Sequence, residues 1–116
     1  MTLVWYPKCS TCKRAKAWLE EHGLSCDLRD INEDTPTAGE LRVWQGKSGL
    51  ALRRFFNTSG LLYKGMSLKE KLPKLSEEEQ LALLAQYGML IKRPLLVTEE
   101  FVLVGFREAE WSAALL

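Results

Sequence analysis

The run Leu3-Val4-Trp5-Tyr6-Pro7-Lys8-Cys9-Ser10-Thr11-Cys12-Lys13-Arg14-Ala15 changes character at Pro7. Before the proline, four apolar, β-prone residues read as a strand, Leu3 to Tyr6. After it, the spacing predicts a helix over about Ser10 to His22. Cys12, Ala15, Trp18 and Leu19 recur at intervals of three and four and form one stripe, while Lys13, Glu20 and Glu21 fall outside it. Gly23 is the expected stop. The Cys-x-x-Cys therefore sits where a strand gives way to a helix, among unpaired backbone N–H groups at the positive end of the helix dipole. Both favour thiolate, the nucleophilic form of cysteine. Cys12 follows Cys9 closely enough to close a disulfide onto it. This is the geometry of a redox site, or of a thiol that attacks a substrate and is then released by its neighbour.

Outward from this run, Ser25 to Arg29 alternates as a half-buried strand, with Cys26 and Leu28 inward. The middle, from about Asn32 to Gly88, reads as helical and punctuated. Thr37…Glu40, Ser67…Glu70 and Ser76…Glu79 each have the spacing of a capping box. The last opens a helix with Leu81, Leu84 and Ala85 inward and Gly88 as its C-terminal stop. Between the first two lie Leu52-Arg53-Arg54-Phe55-Phe56 and the turn cluster Asn57-Thr58-Ser59-Gly60. Strands return at Leu95 to Thr98 and Phe101 to Val104, joined by Glu99-Glu100, and a closing helix starts near Glu108. The order β-α-β, helical block, β-β-α is an α/β pattern. It is that of a thioredoxin-like fold with a mixed four-stranded sheet, residues 1–116 forming one domain with a helical insertion at about 32–90.

Composition narrows the class. A chain of 116 residues is large enough to bury a core. A net charge of +1 gives no reason to expect a direct nucleic-acid partner or an anionic membrane. With neither a signal-peptide pattern nor a membrane span, the expected location is cytoplasmic. Three cysteines in such a protein are not a disulfide framework. They divide into the close pair and Cys26, read as a small buried hydrophobe.

Cys9 is the candidate nucleophile, with Lys8, Lys13 and Arg14 nearby to stabilise its anion. Cys12 is the candidate resolving thiol, or else a core cysteine chosen for its size beside Ala15. No metal is expected, because only Cys26 and His22 remain as soft ligands and neither has ligand spacing. Arg93-Pro94 precedes a strand. Arg93 either projects toward Cys9 as an anion ligand or is a solvated arginine at a strand edge. Arg53 and Arg54 offer a second guanidinium to an oxyanion, or form the exposed face of a short helix. Arg107 is a weaker candidate of the same kind.

Four segments together resemble the arsenate reductase/Spx-like family of thioredoxin-fold proteins. They are Tyr6-Pro-Lys-Cys9-Ser-Thr-Cys12-Lys-Arg-Ala, Phe55-Phe-Asn-Thr-Ser-Gly-Leu-Leu-Tyr63, Lys92-Arg-Pro-Leu-Leu-Val97 and Val104-Gly-Phe106. The resemblance implies that Cys9 is a nucleophile toward an oxidised substrate. It implies that Arg93 precedes a cis-proline, Pro94, and that Arg93 and Arg54 bind an oxyanion. It implies no bound cofactor but an external thiol reductant, such as glutathione with glutaredoxin, or thioredoxin. The implied partners are a small oxyanion or oxidised thiol and a reducing thiol protein.

Two positions depart from the arsenate-reducing pattern. Gly105 stands where those members carry a third arginine, with Arg107 two residues on, and Trp5 stands where they carry a histidine. Each charge-assisted contact contributes about 1.5–3 kcal/mol, so losing one weakens a trianion site. The Cys-x-x-Cys also differs from the glutaredoxin-dependent enzymes, which have one cysteine in the motif. It is shared with the Spx-like regulators, where the pair is a redox switch. Their partner is the C-terminal domain of the α subunit of RNA polymerase. Two readings follow: an arsenate-reductase-like thiol oxidoreductase, or a redox-switched regulator that binds the polymerase.

Overall fold

In the computed structural model, which describes residues 1–116, the β-prone run becomes β1 (Thr2–Trp5), an inner strand of a four-stranded mixed sheet. The strand order is β2-β1-β3-β4, with β2 (Asp27–Asp30) parallel to β1. β3 (Leu95–Val97) and β4 (Val102–Val104) are antiparallel additions on the other side. Thr98 closes the β3–β4 hairpin. Its hydroxyl accepts from the Glu100 and Phe101 N–H groups, at 3.3 and 3.0 Å.

Alternation along the strands sends neighbouring side chains to opposite faces. Leu3 and Leu96 enter one core with Ala15, Trp18 and Leu19 of α1 (Ser10–Glu21) and Trp111 of α6 (Glu108–Leu115). Val4, Leu95 and Val102 enter the other, larger core. There they meet Leu41 and Trp44 of α2 (Ala38–Ser48), Phe55, Phe56, and Leu81 and Leu84 of α5 (Glu77–Gln86). Two short helices, α3 (Leu61–Gly65) and α4 (Leu68–Lys71), complete this second layer. The stripe Cys12, Ala15, Trp18 and Leu19 is the buried face of α1, and Gly23 follows in the left-handed region at φ 66°. No helix is long and apolar enough to cross a membrane.

Several local expectations are corrected. The second strand begins at Asp27, and Leu28 is 46 % exposed rather than inward. β2 is an edge strand, so its side chains have sheet on one flank only, and Cys26 before it is half-buried rather than buried. The capping boxes at Thr37 and Ser76 form, each hydroxyl accepting the N–H of the glutamate three residues on at 3.1 Å. The box at Ser67 does not. Ser67 has φ 54°, and this backbone carries no side-chain cap. Gly88 is not a left-handed helix cap either. α5 ends at Gln86, and Gly88 lies in the next tight turn with its α-carbon against the main chain. A Cβ there would stand 2.3 Å from the Ile31 carbonyl oxygen, so only glycine fits.

Candidate active site

The turn Tyr6-Pro7-Lys8-Cys9 is closed by the Cys9 N–H donating to the Tyr6 carbonyl at 2.9 Å, with proline at the second position where its fixed φ belongs. This turn delivers Cys9 as the N-cap of α1. Its sulfur accepts the Cys12 N–H at 3.5 Å, in the place where serine or threonine usually serves. Burial opposes ionisation of Cys9. Hydrogen bonds from the Cys12 N–H and thiol, the charge of Arg93 and the Thr11 N–H outweigh it, and the thiol is held below its ordinary pKa. Cys12 behaves in the opposite way. Burial raises its pKa first, the Cys9 thiolate beside it adds to this, and the thiol is pushed up to about 12. The Tyr6 N–H donates to the Cys12 sulfur at 3.5 Å and partly opposes that rise. The two thiols are thus driven apart in acidity, Cys9 toward the thiolate and Cys12 toward the protonated thiol. Both are free thiols.

Arg93 approaches from the opposite side. The Arg93–Pro94 peptide is cis, as the resemblance implied. The guanidinium lies 5.6 Å from the Tyr6 ring centroid, and Nη1 donates to the Met89 and Ile91 carbonyls at 3.1 and 3.2 Å. Its Nε is buried with no partner. Arg54 is brought in by an antiparallel bridge between Phe56 and Ile91. The Asn57 N–H donates to the Leu90 carbonyl and the Lys92 N–H to the Phe55 carbonyl, both at 2.7 Å. This bridge rivets the arginine-bearing 3₁₀ turn Leu52–Phe55 to the segment that carries Arg93.

Together these elements enclose a cavity of about 390 Å³ lined by Cys9, Thr11, Arg54, Asn57, Ser59, Lys92, Arg93, Val104, Gly105, Phe106, Arg107 and Glu110. Of the candidates read from sequence, Cys9, Arg54, Arg93 and Arg107 line it. Cys12 and Pro94 lie buried behind, and Arg53 is not among the lining residues. Lys92, Asn57, Ser59, Thr11 and Glu110 were missed. Lys92 stood inside the quoted Lys92-Arg-Pro motif, and Asn57 and Ser59 inside the turn cluster, so proximity to named residues was the available signal. Four cations face one carboxylate, Glu110, so the cavity suits an anion. No group of three or more His, Cys, Asp or Glu side chains converges in a metal-binding arrangement.

The comparison of the whole chain gives its family. The ArsC family model matches residues 4–114. The chain belongs to the ArsC family. Within that family it is 54 % identical to the uncharacterized protein YusI of Bacillus subtilis, over 96 % of this chain and 94 % of that one. It is 26 % identical to the regulatory protein MgsR of the same organism, over 95 % of this chain and 86 % of MgsR. Two solved structures share its thioredoxin-like α/β fold. A putative ArsC-family-related protein from Bacteroides fragilis superposes with TM-score 0.94 at 53 % identity, covering 97 % of this chain and 94 % of that one. A possible arsenate reductase from Streptococcus mutans gives TM-score 0.88 at 48 % identity, covering 97 % and 96 %. The relatives of this ArsC-family chain thus include both proteins named as reductases and a protein named as a regulator.

Proposed function

We propose that this ArsC-family protein is a thiol oxidoreductase acting on an oxidised, anionic substrate. The observation that carries this reading is a pKa-lowered Cys9 facing a cavity lined by Arg54, Lys92, Arg93 and Arg107. The Cys9 thiolate attacks the oxidised centre of the substrate, a disulfide sulfur or an oxyanion's arsenic, and forms a covalent adduct while the leaving group takes a proton. Adduct formation removes the negative charge on Cys9, and with it two of the influences that keep Cys12 protonated. Cys12 then loses its proton and attacks the Cys9 sulfur. The Cys9–Cys12 disulfide forms, the substrate departs carrying two more electrons, and an external dithiol or glutathione system returns the pair to thiols. Arg93 and Arg54 hold the substrate's negative charge through the adduct.

Reduced protein is mixed with arsenate or with glutathione disulfide, and the state of Cys9 and Cys12 is followed by thiol mass spectrometry. Substrate-dependent disulfide formation is expected. Cys9→Ser abolishes it, and Cys12→Ser accumulates the Cys9 adduct. Full turnover in Cys9→Ser would overturn the mechanism.

One observation favours a second reading. Cys12 lies on the buried stripe of α1, so a Cys9–Cys12 disulfide changes how the first turn of that helix is held. In a redox-switched regulator, as the resemblance to the Spx-like proteins implies, that change would gate binding to RNA polymerase, at the C-terminal domain of its α subunit. A pull-down with this domain under oxidising and reducing conditions tests it. Binding in neither state removes this reading.

A further inference from the structure

Of the four cations lining the cavity, Lys92 is the one whose stem is seated against Gly105. Arg93 is already committed, with Nη1 on two carbonyls and its guanidinium against Tyr6. Lys92 forms no ion pair. The four ion pairs of the molecule join Lys16 to Glu20, Arg29 to Asp34 and to Glu40, and Arg42 to Glu78. Its main chain is fixed by the bond to Phe55, and its aliphatic stem lies across Gly105, where a Cβ would stand 3.3 Å from Lys92 Cε. Gly105 is itself pinned from two directions. Its N–H donates to the Pro94 carbonyl at 2.8 Å, and its carbonyl accepts the buried Trp111 indole N–H at 3.1 Å. At φ 75° its backbone is in the left-handed region that favours glycine. A side chain at 105 would strain this turn and push the lysine stem off its seat.

We propose that Lys92 is an anion-binding, specificity-determining residue of the Cys9 cavity, seated on Gly105 as on a floor. The proposal rests on the reading of that cavity as the substrate site. Four cations set against the single carboxylate of Glu110 repel one another, and an anion relieves that repulsion. A lysine brings a compact charge with three rotatable donors rather than a planar fork. It therefore suits a single oxygen of a phosphate-like oxyanion or of a substrate carboxylate, beside whatever the arginines hold bidentately.

The test needs no turnover. Alkylation of Cys9 by iodoacetamide, a neutral reagent, is timed at increasing inorganic phosphate, with chloride keeping the ionic strength constant. The anion-free rate of each variant is its own reference. Phosphate is expected to slow alkylation of the wild-type protein. In Lys92→Met the half-protecting concentration is expected to rise about tenfold, the lower end of one charge-assisted contact, as befits an exposed lysine. Lys92 is exposed, so the variant keeps its fold. Recovery in Lys92→Arg ties the effect to charge, while equal loss ties it to the ammonium itself, and both support the proposal. Unchanged protection in Lys92→Met overturns the role of Lys92 and leaves the cavity reading standing. Failure of phosphate to protect the wild-type protein overturns both.

Discussion

Sulfur is a poor hydrogen-bond acceptor as a thiol and a much better one as a thiolate, so a cysteine used as a helix cap couples the state of its proton to the first turn of the helix. Cys9 is in that position, and Arg93 adds a charge that favours the same state. In wild-type protein the alkylation rate of Cys9 is therefore expected to rise with pH at a lower pH than for an ordinary thiol. Arg93→Ala moves that inflection upward, and an unmoved inflection would show that Arg93 does not act on the thiol. Cys9 and Cys12 were legible because their chemistry is local: a strand, a proline turn, a helix start and a three-residue step all lie within one short run. The residue pattern by itself did not separate Arg53 from Arg54, and the resemblance alone chose Arg54. The choice depends on the phase of a single 3₁₀ turn, and that phase is set by the distant bridge from Phe56 to Ile91. Lys92 escaped for a similar reason, since nothing beside it in sequence says that its stem crosses Gly105.

At the level of elements, β2 and α2 are fastened by one residue doing two jobs. Glu40 closes the N-terminal box of α2, accepting the Thr37 N–H at 3.1 Å. It also takes a two-pronged contact from Arg29 on β2, at 2.6 and 2.9 Å, with the guanidinium 5.7 Å from the Trp44 ring centroid. The hydrogen-bonded Arg29 holds its carboxyl down to about 2. Because this pKa lies below the usual carboxylate range, the stabilisation is fully present above that range. It is lost as pH falls from about 4.5 toward 2. The side chain is 37 % exposed, so solvent screening limits the pair, and Glu40→Ala is expected to cost about 1–2 kcal/mol in urea unfolding at neutral pH. The gap between variant and wild type should narrow across that acid window. Gly88→Ala belongs to the same scale. Its methyl would press on the Ile31 carbonyl, and about 1–3 kcal/mol of destabilisation is expected, read from the urea midpoint. The capping spacing at Thr37 and Ser76 identified two helix starts correctly, because a box is a contact among near neighbours. At Ser67 the preceding turn placed the residue in the left-handed region and cancelled the same pattern. Leu28 was misplaced because alternation tells which side a residue faces, not whether anything covers that side.

Taken whole, the molecule is a sheet between two cores, and the Cys9 cavity draws on both. Trp111 anchors the smaller core, packing edge-on to Phe106 at 4.9 Å and to Trp18 at 6.0 Å between ring centroids, while its indole holds Gly105 in place. Trp111→Ala is expected to cost about 3–5 kcal/mol, a large part of the stability of a domain this size, by urea unfolding. Trp111→Phe keeps most of the packing and loses the indole bond, so it should cost less. The element order was readable in advance because hydrophobic period changes from two to about 3.6 at each strand–helix boundary. The convergence of Arg54 and Arg93 on one cavity was expected from the resemblance alone, since the residues between them give no local sign of it. The bridge at Phe56 and Ile91 closes the stretch 57–90, as a buckle closes a strap. Beyond the buckle, Leu68, Leu72, Leu81 and Leu84 are held in the larger core while Leu61 stands exposed, so only the outer residues of that stretch are free of packing. A lineage that keeps the buckle and those buried leucines is therefore free to re-tailor the outside of the strap.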